Sequence, residues 1–370
     1  ITRLFGADDI ALKTRQATTE RGILAYAAFT IRSLPETEPL PLRIRRLIRI
    51  GLTGTREQHQ IEQLRCERGA SIARKAGFGE PVGAAILDLH EHWDGGGQPR
   101  GLRGTEIDLL ARILAACQGL DIFVSTRGRA DGIRVLSERR GTWYDPDIAD
   151  ALLDACARGL LDDLLAPDLA ARTFALEPGG NVRLSDDADI DRIASAFADV
   201  VDAKSPYTGS HSRGVAAIAE ELAVAMRLPV AAVIDVRRAG LLHDLGKLGV
   251  PNLILDKPSR LEASEFELIK RHPELTLRIL EGIPTFGSVA ELAASHHERL
   301  DGRGYFRGLA EPELALGARI VAVADVFEAL TADRPYRTAM PIETATGILR
   351  EETNGHLAAD VVETLIRLRA

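Results

Sequence analysis

Side chains that can bind a metal ion are concentrated in the second half of the chain. Six of the nine histidines lie after residue 210, and most fall at the edge of an apolar helical pattern. Together with two aspartates, five of them form the set of candidate ligands: His211, His243, Asp244, His272, His296, His297 and Asp325. Imidazole combined with carboxylate suits Fe, Mn, Zn or Co better than Ca or Mg. The pattern predicts a transition-metal site assembled from several helices.

The segment GLLHDLGKLG, residues 240–249, sets His243 and Asp244 side by side at the end of an apolar run. Because a carboxylate has two oxygens, we expect Asp244 to bridge two ions while His243 binds one of them. Gly246 would permit a tight turn. Lys247 would then bring an ammonium close to the ligands.

Asp325 stands in GARIVAVADVFEAL, an otherwise apolar helical pattern. A carboxylate among such neighbours must be paired, and a metal ion would supply the partner. The remaining histidines have no such context. We expect ordinary packed or surface roles for His59, His90, His92 and His356.

The elements that carry these residues are predicted to be helices. Most of the chain has helical apolar spacing interrupted by Gly and Pro, as in residues 187–204. The stretch LEPGGNVRLSDD, residues 176–187, is rich in Gly, Pro and Asp and marks a boundary. The expected fold is an all-α helical bundle, duplicated as two tandem units at 1–185 and 186–370.

An internal repeat supports this division. Residues 90–113, HEHWDGGGQPRGLRGTEIDLLARI, align without a gap to residues 297–320, HERLDGRGYFRGLAEPELALGARI. The first copy has Leu89 where the second has His296, and Gln118 where the second has Asp325. Extending the same shift places Arg65 opposite His272. The first unit is therefore predicted to be degenerate and to lack the metal ligands.

The composition narrows the range of partners and cellular locations that we expect for the protein. A net charge of -8 argues against a broad nucleic-acid-binding surface, so nucleic acid is not indicated as a partner. The three cysteines are scattered, which favours a reducing compartment. With no apolar stretch of 18 residues and no visible signal peptide, we expect no membrane partner and a cytoplasmic location. Because the sequence begins with Ile1, it is interpreted as a piece of a longer protein.

Five motifs in order closely resemble the HD-GYP family of metal-dependent phosphodiesterases, a branch of the HD superfamily. They are HSRGVA, LLHDLGKLGVPNLILDKPSRL, IKRHPE, HHERLDGRGY and ARIVAVADVFEALTADRPYR, and the resemblance covers roughly residues 190–368. It implies an all-helical bundle around two or three metal ions. It also implies hydrolysis of cyclic di-GMP or a related cyclic dinucleotide.

The resemblance implies that all seven candidate ligands occupy the positions of the family's metal ligands. It implies catalytic roles for Asp244, as the bridging ligand, and for Lys247, as a contact to the scissile phosphate. Substrate binding is expected from Lys247 and from four further residues, Arg303, Tyr305, Arg334 and Arg337. The last two match basic residues that hold the second phosphate, although they could instead cap a helix C-terminus.

The sequence departs from the family pattern at several positions. Phe306 replaces the proline that ends the naming motif, and Ser205 stands where an aspartate is usual. Tyr207 occupies the position where trinuclear members have glutamate, which implies two divalent ions: Fe, Mn, or one of Zn, Co and Ni. The closing pattern is replaced by NGHLAAD, residues 354–360, whereas the first half retains it in residues 138–153.

The resulting expectation is a phosphodiesterase that cleaves a cyclic dinucleotide, most often cyclic di-GMP in this family, by attack of a metal-bridging hydroxide. The products would be a linear dinucleotide, a mononucleotide or both. Two alternatives stay open: a hydrolase acting on another nucleotide, and a cyclic-nucleotide sensor with little turnover, linked to a further effector such as a DNA-binding segment. The first half could gate access or mediate a homodimer.

Overall fold

The structure is a computed structural model that describes residues 31–34, 40–164, 166–176, 186–204, 210–257, 259–333 and 338–370. Within these residues the regular elements are helices, and two isolated bridges are the only extended pairings. The expected all-α fold is confirmed. The chain divides into two compact units, Ile1–Asp186 and Asp187–Ala370.

The first unit contains seven α-helices in its described part. They are α1 (Leu40–Lys75), α2 (Glu80–Leu87), α3 (Leu109–Arg127), α4 (Arg129–Glu138), α5 (Pro146–Ala157), α6 (Leu160–Leu164) and α7 (Leu169–Ala175). The start of α3 is fixed by Asp108, whose carboxylate accepts hydrogen bonds from the first-turn N–H groups. Asp145 caps α5 in the same way, and a proline follows it at the first helical position.

The second unit contains ten α-helices in its described part. They are α8 (Asp187–Lys204), α9 (His211–Ala225), α10 (Val230–Leu242), α11 (Asn252–Leu255), α12 (Ala263–Lys270), α13 (His272–Glu281), α14 (Gly287–Ala294), α15 (Leu316–Thr331), α16 (Ile342–Glu352) and α17 (Ala359–Arg369). The helix predicted over 187–204 has these same bounds. A short 3₁₀ turn, Leu245–Gly249, follows α10.

Helices α9, α10 and α15 form the centre of this unit. Leu222, Leu242 and Ile320 come from these three helices and are fully buried in one apolar cluster. At Gly240 of α10, an added Cβ would lie 2.7 Å from the Cα of Ala216 on α9. The two helix backbones therefore touch, and this close approach brings the end of α10 next to the start of α9.

The sequence repeat is also present in the hydrogen bonds. In the first unit, Glu91 accepts from the backbone N–H groups of Arg100 and Leu102, at 2.6 Å and 2.9 Å. In the second unit, the aligned Glu298 accepts from the two equivalent N–H groups, at 3.0 Å each. The loop that follows His90–Glu91 in the first copy and His297–Glu298 in the second is thus folded around the buried glutamate of that pair.

The same loops share a backbone conformation that favours glycine. Gly95 and Gly101 have φ values of 80° and 68°, and the aligned Gly302 and Gly308 have values of 72° and 65°. Because L residues with side chains rarely adopt these angles, the DG and RG dipeptides were retained in both copies for the shape of the loop.

Helix α3 bears on the expectation that the chain has no membrane partner. Among the residues that the structure describes, it is the one segment with the length and mean hydropathy, 1.4, of a membrane-spanning helix. Core helices also meet both criteria, so these two properties alone do not place α3 in a membrane.

Candidate metal centre

The seven predicted ligands come together in the second unit. In the described part of the chain they form overlapping groups of three, with the ligand atoms in each group within 4.8 Å of one another. The groups are His211–His243–Asp325, His243–Asp244–His296 and His272–His296–His297. Six of the seven side chains are buried, and His297 is half-buried.

Helix ends position most of these side chains. His211 begins α9, His243 directly follows α10, and the pair at 296 and 297 lies just beyond α14. Asp325 is in the middle of α15, as predicted. His272 lies at the junction where α12 ends and α13 begins. A chain that changes direction there can aim the imidazole inward.

Asp244 lies between two sets of imidazoles. Its Oδ2 is 3.4 Å from His243 Nε2 and 3.9 Å from His211 Nε2. Its Oδ1 is 3.4 Å from His272 Nε2 and 4.0 Å from His296 Nε2. Each carboxylate oxygen therefore faces a different pair of imidazole nitrogens, which is the arrangement that a bridging ligand requires.

Three of the imidazoles are oriented by backbone carbonyls. The Nδ1 atoms of His243, His272 and His296 lie 2.8, 2.7 and 2.6 Å from the carbonyl oxygen of the residue three positions earlier. A carbonyl can only accept a hydrogen bond, so each Nδ1 must carry the proton. The lone pair is then on Nε2, which points at Asp244.

His211 is oriented by a side chain that the sequence reading did not assign. Its Nδ1 hydrogen-bonds to Glu328, and its Nε2 lies 3.1 Å from Asp325 Oδ1. Glu328 is buried and stands three residues after Asp325 on α15, so both carboxylates share a helix face. That spacing is the signal that could have identified Glu328.

The charge states follow from burial and from these contacts. Burial lowers the pKa of His272 to about 3 and that of His297 to about 4, so both are neutral near pH 7. Burial would raise the pKa of Asp244, but Lys247 and His243 hold it well below its usual range. Burial lowers the pKa of His211, but hydrogen bonds to two carboxylates outweigh it and raise the value to about 10.

The turn after α10 fixes the position of Lys247. Its Nζ lies 2.6 Å from Asp244 Oδ2. Thr276, a second residue that the sequence reading missed, accepts from the Gly246 N–H at 2.9 Å and donates to the His243 carbonyl at 3.0 Å. It stands four residues after His272, on the same face of α13, and that spacing could have pointed to it.

Gly246 is required for space and not for a left-handed φ. An added Cβ would lie 2.0 Å from the carbonyl oxygen of His272. The glycine therefore allows the 3₁₀ turn to lie directly against the start of α13.

The predicted substrate contacts are only partly brought to the site. The Tyr305 ring lies 4.4 Å from the His297 ring, centroid to centroid. Arg303 is exposed, and its backbone N–H donates to Asp301 at 3.0 Å, so its side-chain role stays a prediction. Four residues that the sequence reading singled out lie outside the described part of the chain: Ser205, Tyr207, Arg334 and Arg337.

The donor set fits divalent metal ions. His243 Nε2 and Asp244 Oδ1 are buried and have no hydrogen-bond partner in the described structure. Leaving such atoms unpaired is costly, and a cation bound between them would satisfy both. Neutral imidazoles, as at His272 and His297, and an ionised carboxylate, as at Asp244, are also protonation states that metal binding needs, whereas His211 would have to release its proton to a bound ion.

The histidines outside the site have the ordinary roles that were expected where the structure shows their contacts. His356 Nδ1 lies 2.8 Å from Glu352, one helical turn away. His92 stacks on Trp143, and His90 lies 3.6 Å from Glu62 in the first unit.

Comparison with known proteins agrees with the fold. The sequence profile of the HD domain family matches residues 39–148 and 195–361, one segment in each unit. The 3'3'-cGAMP-specific phosphodiesterase 3 of Vibrio cholerae is 37% identical over 361 residues, which cover 97% of this chain and 78% of that protein. A crystal structure of a cyclic GMP-AMP specific phosphodiesterase of V. cholerae has a TM-score of 0.61 at 33% identity and covers 96% of this chain and 84% of that one.

A cyclic di-GMP phosphodiesterase of Pseudomonas aeruginosa is 41% identical over 163 residues, which cover 44% of this chain and 39% of that protein. An all-helical fold with a histidine and aspartate cluster of this kind defines the class of HD-domain proteins. The chain belongs to the HD-domain family, in its HD-GYP branch.

Proposed function

We propose that this chain is a metal-dependent phosphodiesterase that opens the ring of a cyclic dinucleotide at the second unit. The observation that carries the proposal is the position of Asp244. One buried carboxylate presents each of its oxygens to a separate pair of imidazoles, at 3.4 to 4.0 Å. Two-metal hydrolases use such a bridging carboxylate to fix the distance between their ions.

The residues that would hold two divalent ions divide at this carboxylate. On one side are His211, His243 and Asp325, and on the other are His272, His296 and His297, with Asp244 shared. Divalent ions bound there would lower the pKa of water and polarise phosphoryl oxygens. Hydrolysis adds one water across one P–O bond of the ring and yields a linear dinucleotide.

Lys247 supports the proposal from the protein side. Its ammonium lies 2.6 Å from Asp244 and its side chain is half-buried, so it is both held in place and partly exposed. A fixed positive charge at this point would stabilise the charge that builds on the phosphate oxygens. Tyr305, whose ring is tilted against that of His297, would bound the site on the side of the DGRGY loop.

Cyclic di-GMP is the substrate that the sequence reading favoured, and relatives named for it match about half of this chain. A second candidate is 3'3'-cGAMP, because the relative matched over 97% of this chain is named for that dinucleotide. Both candidates belong to one chemical class, so the proposed reaction is the same.

The test is a turnover assay on the full chain after anaerobic loading with Mn(II) or Fe(II). We expect linear dinucleotide from cyclic di-GMP, 3'3'-cGAMP or both, separated by chromatography. Asp244→Asn should abolish turnover because it removes a shared ligand oxygen. The matched control is Asp235→Asn, a carboxylate on α10 outside the cluster, which should retain full activity.

Two results would contradict the proposal and favour the alternatives. Cleavage of nucleoside triphosphates with no cleavage of either cyclic dinucleotide would indicate a different phosphohydrolase. Binding of a cyclic dinucleotide at full metal occupancy, without any product, would indicate a sensor.

A further inference from the structure

The first unit contains a cavity of about 760 Å³ that the proposed reaction does not use. Its volume lies within the range of small-molecule sites in proteins, roughly 300–1,000 Å³. All of its lining residues fall between Glu62 and Tyr144, so it belongs to the first unit alone.

This cavity is the counterpart of the metal centre. Its lining includes four residues that align with metal ligands of the second unit under the repeat: Arg65, Leu89, His90 and Gln118, which align with His272, His296, His297 and Asp325. One of the four is an imidazole. In the described structure, the groups of three metal-capable side chains all lie in the second unit. In the first unit, a cavity therefore lies at the aligned position of the metal ligands, and the groups that would hold ions are missing from its described part.

Aromatic rings line one side of the cavity. The His92 ring stacks on Trp143 with centroids 4.1 Å apart. The Arg139 guanidinium lies 3.8 Å from the centroid of Trp143 and 5.0 Å from that of Phe123. Such stacking holds a guanidinium in a fixed plane with little loss of charge.

Arg139 keeps its positive charge available to a ligand. In the described part of the chain, no carboxylate lies within 4.0 Å of its guanidinium, whereas Arg65, also in the lining, is paired with Glu62 at 3.0 Å. A ligand that brings an anion into the cavity would pair with this charge.

We propose that this cavity binds a purine nucleotide and does not hydrolyse it. The flat base would stack on the aromatic side, and its phosphate would pair with Arg139. The choice of a nucleotide rests on the proposed function, because the aligned position in the second unit is there assigned a nucleotide substrate. Binding itself requires no metal and no turnover.

The test is isothermal titration calorimetry of the full chain in excess chelator, with GMP and cyclic di-GMP as the two probes. We expect one site that Arg139→Gln weakens by about tenfold or more. The matched control is Arg134→Gln on α4, an exposed arginine outside the cavity that pairs with Asp131 and Glu138. It should bind as the parent does. Gln118→Trp, which fills the cavity from an exposed position, should also remove the site.

The inference is overturned if neither probe binds at concentrations up to about 1 mM. It is equally overturned if binding is unaffected by both Arg139→Gln and Gln118→Trp while their circular dichroism matches the parent. Its failure differs from failure of the proposed function. An Arg139-dependent site without turnover by metal-loaded protein would refute only the proposed function, and turnover without such a site would refute only this inference.

Discussion

At the residue scale, the candidate centre depends on which group hydrogen-bonds to Nδ1 of each imidazole, the nitrogen that does not face the metal position. Backbone carbonyls accept from His243, His272 and His296, and Glu328 fills this role for His211. The ligand types and their order could be predicted from the sequence, because few residue types bind metals. The orienting partners could not, since a carbonyl three residues back leaves no mark in the sequence.

Glu328→Gln is expected to weaken metal binding. The amide keeps the size of the side chain but loses the charge that makes the His211 imidazole a better donor to a metal. Loss of such a partner typically costs about 10- to 100-fold in metal affinity. Competition titration with a chromogenic chelator measures the change.

The control for this variant is Glu351→Gln, an exposed glutamate on α16 outside the cluster. It should leave the affinity unchanged. Equal affinities for Glu328→Gln and the parent would show that the contact to His211 has no part in metal binding.

The metal-free protein is expected to lose stability as the pH falls from 7 towards 4. His272 and His297 have pKa values of about 3 and 4 when folded, against 6.5 for an ordinary histidine. Over this range the unfolded chain binds protons that the folded chain does not, so the free energy of unfolding falls. Each such histidine contributes up to about 1.4 kcal/mol per pH unit.

His211 does not oppose this trend. Its pKa is raised to about 10, so the stability it contributes is fully present below pH 6.5 and is lost only as the pH rises through 10. Urea unfolding in chelator at pH 7, 6 and 5 tests the expectation, with His272→Gln flattening the dependence and His356→Gln leaving it as in the parent. A midpoint that stays constant from pH 7 to pH 5 would contradict it.

At the element scale, the site depends on how the turn Leu245–Gly249 meets α13. The helices around this turn could be predicted from apolar spacing, and α8 and α15 fall where the pattern indicated. The contact between the turn and α13 could not, because it joins segments about 30 residues apart through packing. Gly246 and Thr276 are both explained by that contact.

Thr276→Val is expected to destabilise the metal-free protein by about 1–3 kcal/mol. The change is nearly isosteric, but it removes the hydroxyl that accepts from Gly246 and donates to the His243 carbonyl, and leaves both backbone groups buried. Denaturant unfolding gives the free energy. Thr276→Ser keeps the hydroxyl and should cost less than Thr276→Val. If the two variants had the same stability, the hydrogen bonds would not matter.

At the scale of the whole molecule, the two units share a scaffold and differ in chemistry. The repeat could be predicted from its ungapped alignment, and the family profile matches a segment in each unit. The cavity of the first unit could not be predicted in this way. Loss of ligands is visible in a sequence, whereas retention of an open space depends on the packing around it.

This difference predicts where metal is bound. His297→Ala should lower the metal content of the purified full chain. His90→Ala, at the aligned position of the first unit, should leave the metal content unchanged because no ligand group surrounds it in the described structure. Elemental analysis after loading and desalting measures both. An equal loss in the two variants would place metal in both units.

The paired glutamates at 91 and 298 have a consequence for how such proteins diverge. Each holds its loop through backbone amides, and neither depends on an ion to do so. A duplicated copy could therefore lose its metal-binding histidines one after another without unfolding of this loop. The helical scaffold can therefore persist after the metal ligands are lost. The cavity at that position is then free to acquire a different binding function.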